Sequence, residues 1–210
     1  YFRTKFEEEL QRFKGRLGIG VISDTDPQPL IVGSHLGTFG IATVGRIANL
    51  EDLVRRAYAR RSYFSDTANG VINPTEAVAM LICEEESFES GIRRAQEEIQ
   101  GSCTLLLLTE GGIYAARDRL GRTPLALGRR EGALAVSSET CAFPNLGFEV
   151  EHFLGPGELV FLTSEGWEGR RAPGEALQVC AFLWVYYGYP ASEYEGLNVE
   201  EVRNRCGAAL

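Results

Sequence analysis

Along this chain of 210 residues the period of the hydrophobic and polar positions changes twice. Short apolar runs separated by Asp, Pro and Gly come first, at Gly18-Ile19-Gly20-Val21-Ile22, Leu30-Ile31-Val32 and Phe39-Gly40-Ile41-Ala42-Thr43-Val44. Runs of that length bounded by turn formers predict a β meander. From Asn49 the spacing becomes helical. Leu50, Leu53, Val54 and Ala57 share one side of a helix that Asn49 would cap, and Glu51 and Asp52 stand in its first turn, where carboxylates suit the positive end of the dipole. Thr75 likewise precedes a run from Glu76 to Ile82, and Phe88, Ile92, Ala95 and Ile99 mark the inner face of a third helix. Ahead of all these, Phe6, Leu10 and Phe13 give the apolar stripe of an ordinary surface helix. After Gly101 strand and turn return, through Thr104 to Leu108, Gly111-Gly112, Ile113 to Ala116, Ala133 to Val136 and Leu159 to Leu162. Strands, then helices, then strands predict an α+β sandwich in which helices cover antiparallel sheets.

Composition narrows the function classes. With 44% apolar and 24% charged residues the chain can bury one good core, so one domain is the default. A net charge of -8 gives no extended basic face for a phosphate backbone, so no nucleic-acid partner is expected. No apolar run approaches the roughly 18 residues that span a bilayer, and no signal-peptide pattern opens the chain, so no membrane partner and a cytoplasmic location are expected. The five cysteines, Cys83, Cys103, Cys141, Cys180 and Cys206, are odd in number and scattered, as reduced thiols are. The opening Tyr1-Phe2-Arg3 reads as the middle of something, a fragment or a processed chain.

Three short elements carry the chemistry of identification. Arg117-Asp118-Arg119-Leu120-Gly121-Arg122-Thr123-Pro124-Leu125 follows a predicted hairpin strand, then come Ser138-Glu139-Thr140-Cys141-Ala142-Phe143 and Pro156-Gly157-Glu158. In order and spacing they resemble the R-D-x-x-G-x-x-P-L, S-E-x-x-A-L and P-G-E elements of class II glutamine amidotransferases. Further on, Val179 to Ser192 is similar to the C-x-F-E-Y-V-Y-F-A-R-P-D-S segment of amidophosphoribosyltransferases, the enzymes that open purine synthesis, and Asn198 to Gly207 to the S-V-Y-x-x-R-x-x-M-G that follows it. With these segments the resemblance covers essentially the whole chain. It implies a four-layer αββα sandwich of the N-terminal-nucleophile hydrolase type over residues 1–195, lacking its first segment, with residues 196–210 starting the connection to a phosphoribosyltransferase-like domain in cis that is not in this sequence. It also implies a homo-oligomer. No phosphoribosyltransferase motif occurs in these residues, so no phosphoribosyl pyrophosphate site and no cofactor are expected in this chain.

In that family an N-terminal Cys attacks the glutamine amide, its α-amino group serves as base, and an Asn side chain with a Gly N–H holds the oxyanion. An Arg and an Asp hold the carboxylate and amino ends of glutamine. The phenol of Tyr1, with a pKa of about 10, cannot replace that thiolate, although the family places its Cys ahead of the piece that Tyr1 to Gly15 matches. The internal positions say more. Gly18 to Asp24 aligns with G-I-G-H-x-R-Y, which puts Val21 at the His and Ser23 at the carboxylate-binding Arg, and Gln28-Pro29 keeps the family's Q-P. Thr43 then replaces a His, Val44 replaces the oxyanion Asn, and Gly45 is retained. Asn73-Pro74-Thr75-Glu76 stands at S-D-T-E, so Pro74 replaces the Asp. Asn69-Gly70 reads as a loop turn, with a displaced oxyanion element as the other reading.

Two readings of different class follow. One is a degenerate domain that binds a ligand or partner and regulates a nucleotide-related activity. The other is the active glutaminase half of an amidophosphoribosyltransferase-type enzyme, with its Cys upstream of residue 1. The remaining candidates are weaker. His35 and His152 read as surface histidines without a partner at metal-ligand spacing. Cys180 stands where some family members supply one thiolate to an iron–sulfur cluster, but with no compact Cys cluster in the chain a buried free Cys is the favoured reading here. Glu7 to Glu9 and Glu84 to Glu86 read as solvated faces. Trp184, Tyr186, Tyr187 and Tyr189 read as an aromatic stripe with strand alternation, suited to core and interface.

Overall fold

The computed structural model describes residues 12–23, 26–60, 62–65, 67–68 and 71–210. The stripe of Phe6 and Leu10, the acidic run from Glu7 to Glu9, and Asn69-Gly70 lie outside them. In chain order the strands are β1 (Leu30–Ser34), β2 (Gly37–Ile47), β3 (Thr67–Ala68), β4 (Val71–Ile72), β5 (Gly101–Leu108), β6 (Ile113–Ala116), β7 (Ala126–Arg130), β8 (Ala133–Ser137), β9 (Glu149–Phe153), β10 (Leu159–Leu162), β11 (Trp167–Arg171), β12 (Glu193–Tyr194) and β13 (Leu197–Asn198). The helices are α1 (Leu50–Ala59), α2 (Pro74–Cys83), α3 (Phe88–Glu98), α4 (Ala142–Asn145) and α5 (Val199–Ala209), with a π-helical turn at Leu183–Tyr187.

A six-stranded antiparallel sheet, in the order β1-β2-β5-β6-β10-β11, forms the centre. Its rungs explain the layering, because successive residues of a strand face opposite sides. Ile41, Leu107, Tyr114 and Phe161 share a rung, and so do Ala42, Leu106, Ala115 and Val160. On the first face Phe39, Ile41, Leu105 and Leu107 pack against Leu53 of α1, Val78 and Ile82 of α2, and Ile92 and Ala95 of α3. On the second face Ala115, Val160 and Leu162 meet Leu125, Leu127 and Leu154 at a three-stranded sheet ordered β8-β7-β9. Gly128, one step beyond Leu127, turns outward, and a Cβ there would lie 2.8 Å from the Phe143 ring of α4. That short helix is the fourth layer, so the αββα expectation holds.

Local chemistry sets the helix starts. Asn73 Oδ1 accepts from Thr75 N at 2.9 Å and Pro74 takes the first helical position, so α2 begins one residue ahead of Thr75. Ser87 Oγ caps α3 by accepting from Ser90 N at 3.2 Å. Asn49 precedes α1 as expected but makes no side-chain cap. Its amide instead joins α3 to β5, donating to Glu98 O at 3.0 Å and accepting from Gln100 N at 2.9 Å. α2 and α3 touch at Gly91, where a Cβ would sit 2.4 Å from Ile82 O.

Three expectations are corrected. Gly18 to Ile22 forms no strand: two of its five residues have no side chain to pack and Ile22 is 99% exposed. Glu84 and Glu85 are not a solvated face. Arg94 reaches Glu84 at 2.5 Å, Glu85 at 2.8 Å and Glu98 at 2.9 Å, while Arg60 pairs with Glu84 at 2.6 Å and Arg56 with Glu98 at 2.7 Å, which ties the three helices together. Since Arg94 is only 25% exposed and serves three carboxylates, Arg94→Ala is expected to lower stability in urea unfolding by about 1–2 kcal/mol. Finally, the aromatic segment is a π-helical turn rather than a strand. Trp184 is buried, whereas Tyr186, Tyr187 and Tyr189 are exposed. Among the described residues no helix is long and apolar enough to cross a membrane.

Candidate functional site

The end of β2, the start of α2, the start of β5 and the loop before β1 converge on a cleft of about 460 Å³. Ser23, the adjacent Val44 and Gly45, and Pro74, from three separate stretches of the sequence, all line it, together with Asp26, Gln28, Thr43, Arg46, Thr75, Ser102 and Cys103. Val44 presents an isopropyl group that is 43% exposed, and Pro74 has no N–H to offer at the helix start. Gly45 is required by its surroundings. Its φ is +139° and a Cβ would lie 2.3 Å from Ser102 O, so β2 and β5 approach closely only because the residue is glycine.

Three of the uncharged polar groups in the cleft, Gln28, Thr43 and Thr75, are bonded to one another, beside the charged side chains of Asp26 and Arg46. Gln28 Oε1 accepts from Thr43 N at 2.8 Å and from Thr75 Oγ1 at 3.1 Å. The two threonine hydroxyls are 2.6 Å apart. A hydroxyl has one proton to give, so with Thr75 donating to Gln28 the Thr43 hydroxyl donates to Thr75 and its own lone pairs face outward. Thr43, at the position that the resemblance gives to a His, thus serves the wall of the cleft. In the sequence Gln28 serves only to fix the register and Ser102 is not singled out; the role of Gln28 depends on Thr43 and Thr75, 15 and 47 residues away, and that of Ser102 on the pairing of β2 with β5.

Cys103 is the one cysteine that lines the cleft among the described residues. It is no substitute nucleophile. Burial, and then the charge of Asp118, push its thiol up to about 12, so at neutral pH the thiolate is a vanishing fraction. In folded protein at pH 8, with labelling by Ellman's reagent mapped by peptide mass, Cys103 is expected to stay unmodified until urea is added, while the exposed Cys206 reacts at once; equal rates would contradict this. Cys83 and Cys141 are half-buried, and so is Cys180, which was expected to be buried. His35 Nε2 lies 2.9 Å from Glu85 O at the surface, as expected. His152 is half-buried instead, 2.7 Å from the buried Glu158 carboxylate and stacked on Trp167. Among the described residues no three ligating side chains gather into a metal site.

Two of the recognised elements are held by buried polar groups, and the first of them reaches β5, whose start lines the cleft. Asp118 Oδ1 accepts from Leu120 N at 3.2 Å and Arg122 N at 3.1 Å, and Oδ2 from Thr123 N at 2.8 Å, which closes the loop around Gly121. The Arg117 guanidinium is buried and donates to Leu154 O at 2.5 Å, Gly121 O at 2.5 Å and Thr123 O at 3.2 Å, and pairs with Glu195. Thr104, the β-ladder partner of Val44, accepts from Asp118 N at 3.2 Å. Glu158 accepts from Gly155 N at 2.6 Å.

Comparison with known proteins agrees with these elements. Residues 14–145 match the family model described as a glutamine amidotransferase domain. The chain is 31% identical to an amidophosphoribosyltransferase of Methanothermobacter thermautotrophicus over 97% of its own length and 44% of the relative's. It is 28% identical to that of Bacillus subtilis over 96% and 44%. It therefore spans less than half the length of these curated relatives. Among solved structures, the B. subtilis glutamine phosphoribosylpyrophosphate amidotransferase complexed with ADP and GMP superposes with a TM-score of 0.77 at 27% identity, covering 87% of this chain and 40% of that one. A second, described as the allosteric regulatory enzyme of purine biosynthesis, gives 0.75 at 27% identity over 86% and 38%. These likenesses carry the fold of the N-terminal-nucleophile hydrolases expected from the motifs, and with half of the chain and more matched, this protein belongs to the glutamine amidotransferase domain family as an amidophosphoribosyltransferase-like member.

Proposed function

We propose that this domain no longer hydrolyses glutamine and acts as a binding or regulatory module of an amidophosphoribosyltransferase-like protein. One observation carries the reading: the positions that the resemblance assigns to the glutamine carboxylate, the glutamine amino group and the oxyanion meet in one cleft, and hold Ser23, Pro74 and Val44. A bidentate guanidinium contact becomes a hydroxyl, a carboxylate becomes a ring without a donor or acceptor, and an amide donor becomes a methyl surface. Gly45 remains as the remnant of the oxyanion site. The scaffold elements around Asp118, Glu139 and Glu158 are retained, so the loss concerns substrate handling and leaves the fold intact.

In this reading the complete protein carries a phosphoribosyltransferase domain in cis, works as a homo-oligomer in the cytoplasm, and serves purine nucleotide synthesis. The second reading, an active glutaminase half, has in its favour the identity to amidophosphoribosyltransferases along nearly the whole chain. Titration calorimetry with the complete protein separates them. The proposed module is expected to bind glutamine more weakly than about 10 mM, because each lost charge-assisted contact weakens affinity about tenfold to a hundredfold. Saturable micromolar binding of glutamine would overturn the proposal.

A further inference from the structure

The last thirty residues have a core of their own. Trp184, Tyr194 and Val199 are buried against one another with Leu183 and Val202, apart from the two cores of the sandwich. Trp184 Nε1 donates to Leu197 O at 3.0 Å, and Arg203 of α5 donates to Trp184 O at 2.7 Å and Gly188 O at 2.9 Å. The π-helical turn, the β12–β13 hairpin and α5 are thus one small unit. What joins it to the sandwich is polar, and comes from two of the recognised elements. Glu139 accepts from Tyr194 OH at 2.6 Å and from Ser192 Oγ at 2.5 Å, with Ser192 fully buried. Thr140 Oγ1 accepts from Glu193 N at 2.8 Å, and Cys141 N donates to Ser192 Oγ at 3.3 Å. Arg117 completes the set through Glu195.

Glu195 is held against its backbone preference. Its φ is +51°, the single positive value among the described non-glycine residues, and Gly196 follows at +77°. Two successive positive values make the tight turn that suits a two-residue hairpin. They also aim the carboxylate at Arg117, at a conformational cost that a surface turn has no reason to bear with Glu in place of Gly or Asn.

We infer that Arg117, Glu139 and Thr140 are a polar latch that holds residues 183–209 as a hinged arm on the sandwich, able to open as a unit while the sandwich stays folded. Hydrogen bonds to a carboxylate can be exchanged for water, whereas the two apolar cores cannot be opened piecemeal. The arm therefore belongs to the low end of the local stability range. Because Arg117 adjoins Asp118, whose N–H is bonded to the ladder partner of Val44, the latch also abuts the floor of the cleft.

Hydrogen exchange followed by mass spectrometry on the full chain tests this with three variants. Glu139→Gln removes the double acceptor, Tyr194→Phe removes one donor and keeps the ring, and Glu195→Asn removes the ion pair at a residue type that tolerates positive φ. Each is expected to raise exchange across 183–209 by about tenfold or more, with β5 and α2 within about twofold of the unsubstituted protein. Exchange in the arm that stays within twofold in all three variants would overturn the latch. A rise spread equally over β5 would overturn it too, since Glu139 would then stabilise the whole domain rather than one hinge.

Discussion

In a complete chain prepared so that it opens on a cysteine, the triple variant Ser23→Arg, Val44→Asn and Pro74→Asp is expected to release glutamate from glutamine at least about 10⁴-fold faster than the same chain without the three substitutions. An oxyanion donor alone accounts for roughly 10²- to 10³-fold in rate, and the carboxylate and ammonium contacts add about tenfold or more each. The effects should separate: Val44→Asn acts on kcat, the two contact residues on KM. The fold is suited to accept all three. Ser23 and Val44 are exposed, and an Asp at position 74 stands in the first turn of α2, where a carboxylate is favoured by the dipole. A well-folded triple variant with unchanged turnover would mean that the cleft is not where glutamine sits.

The second large effect is on stability. Arg117 is 2% exposed and its guanidinium serves three carbonyls and one carboxylate. Arg117→Ala leaves those acceptors unpaired in the interior and is expected to destabilise by about 3–5 kcal/mol. In a chain of this size that lowers Tm by roughly 6–20 °C. Arg117→Lys keeps the charge without the planar fork, so it should fall between the two. Calorimetric melting of the three proteins decides the matter; a loss below about 1 kcal/mol for the alanine variant would show that water replaces the side chain without penalty.

Most of the architecture is legible in the chain. The change from period two to period three or four at Asn49, and back at Gly101, marks where helices replace strands, and the spacing of Leu53 with Ala57 and of Ile92 with Ala95 picks out the faces that are buried. What fails does so for tertiary reasons. Gly18 to Ile22 has the composition of a strand but pairs with no neighbour among the described residues, and it leaves Ile22 exposed. Trp184 to Tyr189 alternates in sequence, yet Arg203 binds the carbonyls of Trp184 and Gly188 and the segment winds into a π-helical turn. Glu84 looks solvated until Arg60 and Arg94, brought from other helices, are seen on either side.

The candidate site was legible in part. Ser23, Val44, Gly45 and Pro74 could be chosen by resemblance, and their gathering in one cleft required the fold. The Thr43–Thr75–Gln28 chain, the closure of Ser102 on Gly45 and the raised thiol of Cys103 were hidden, because each arises from close approach of residues distant in sequence. The same holds for the latch. Glu139 and Arg117 look like turn formers in two motifs, and only the packing shows that both reach the segment around Ser192 and Glu195.

Glutamate release from glutamine by the complete, unsubstituted protein, with its first residue identified by intact mass, tests the central claim most directly. Release at the rate of a protein-free control is the expected result. Sustained turnover from a chain beginning with cysteine would contradict it, and would mean that Ser23, Val44 and Pro74 are not the residues that meet the substrate.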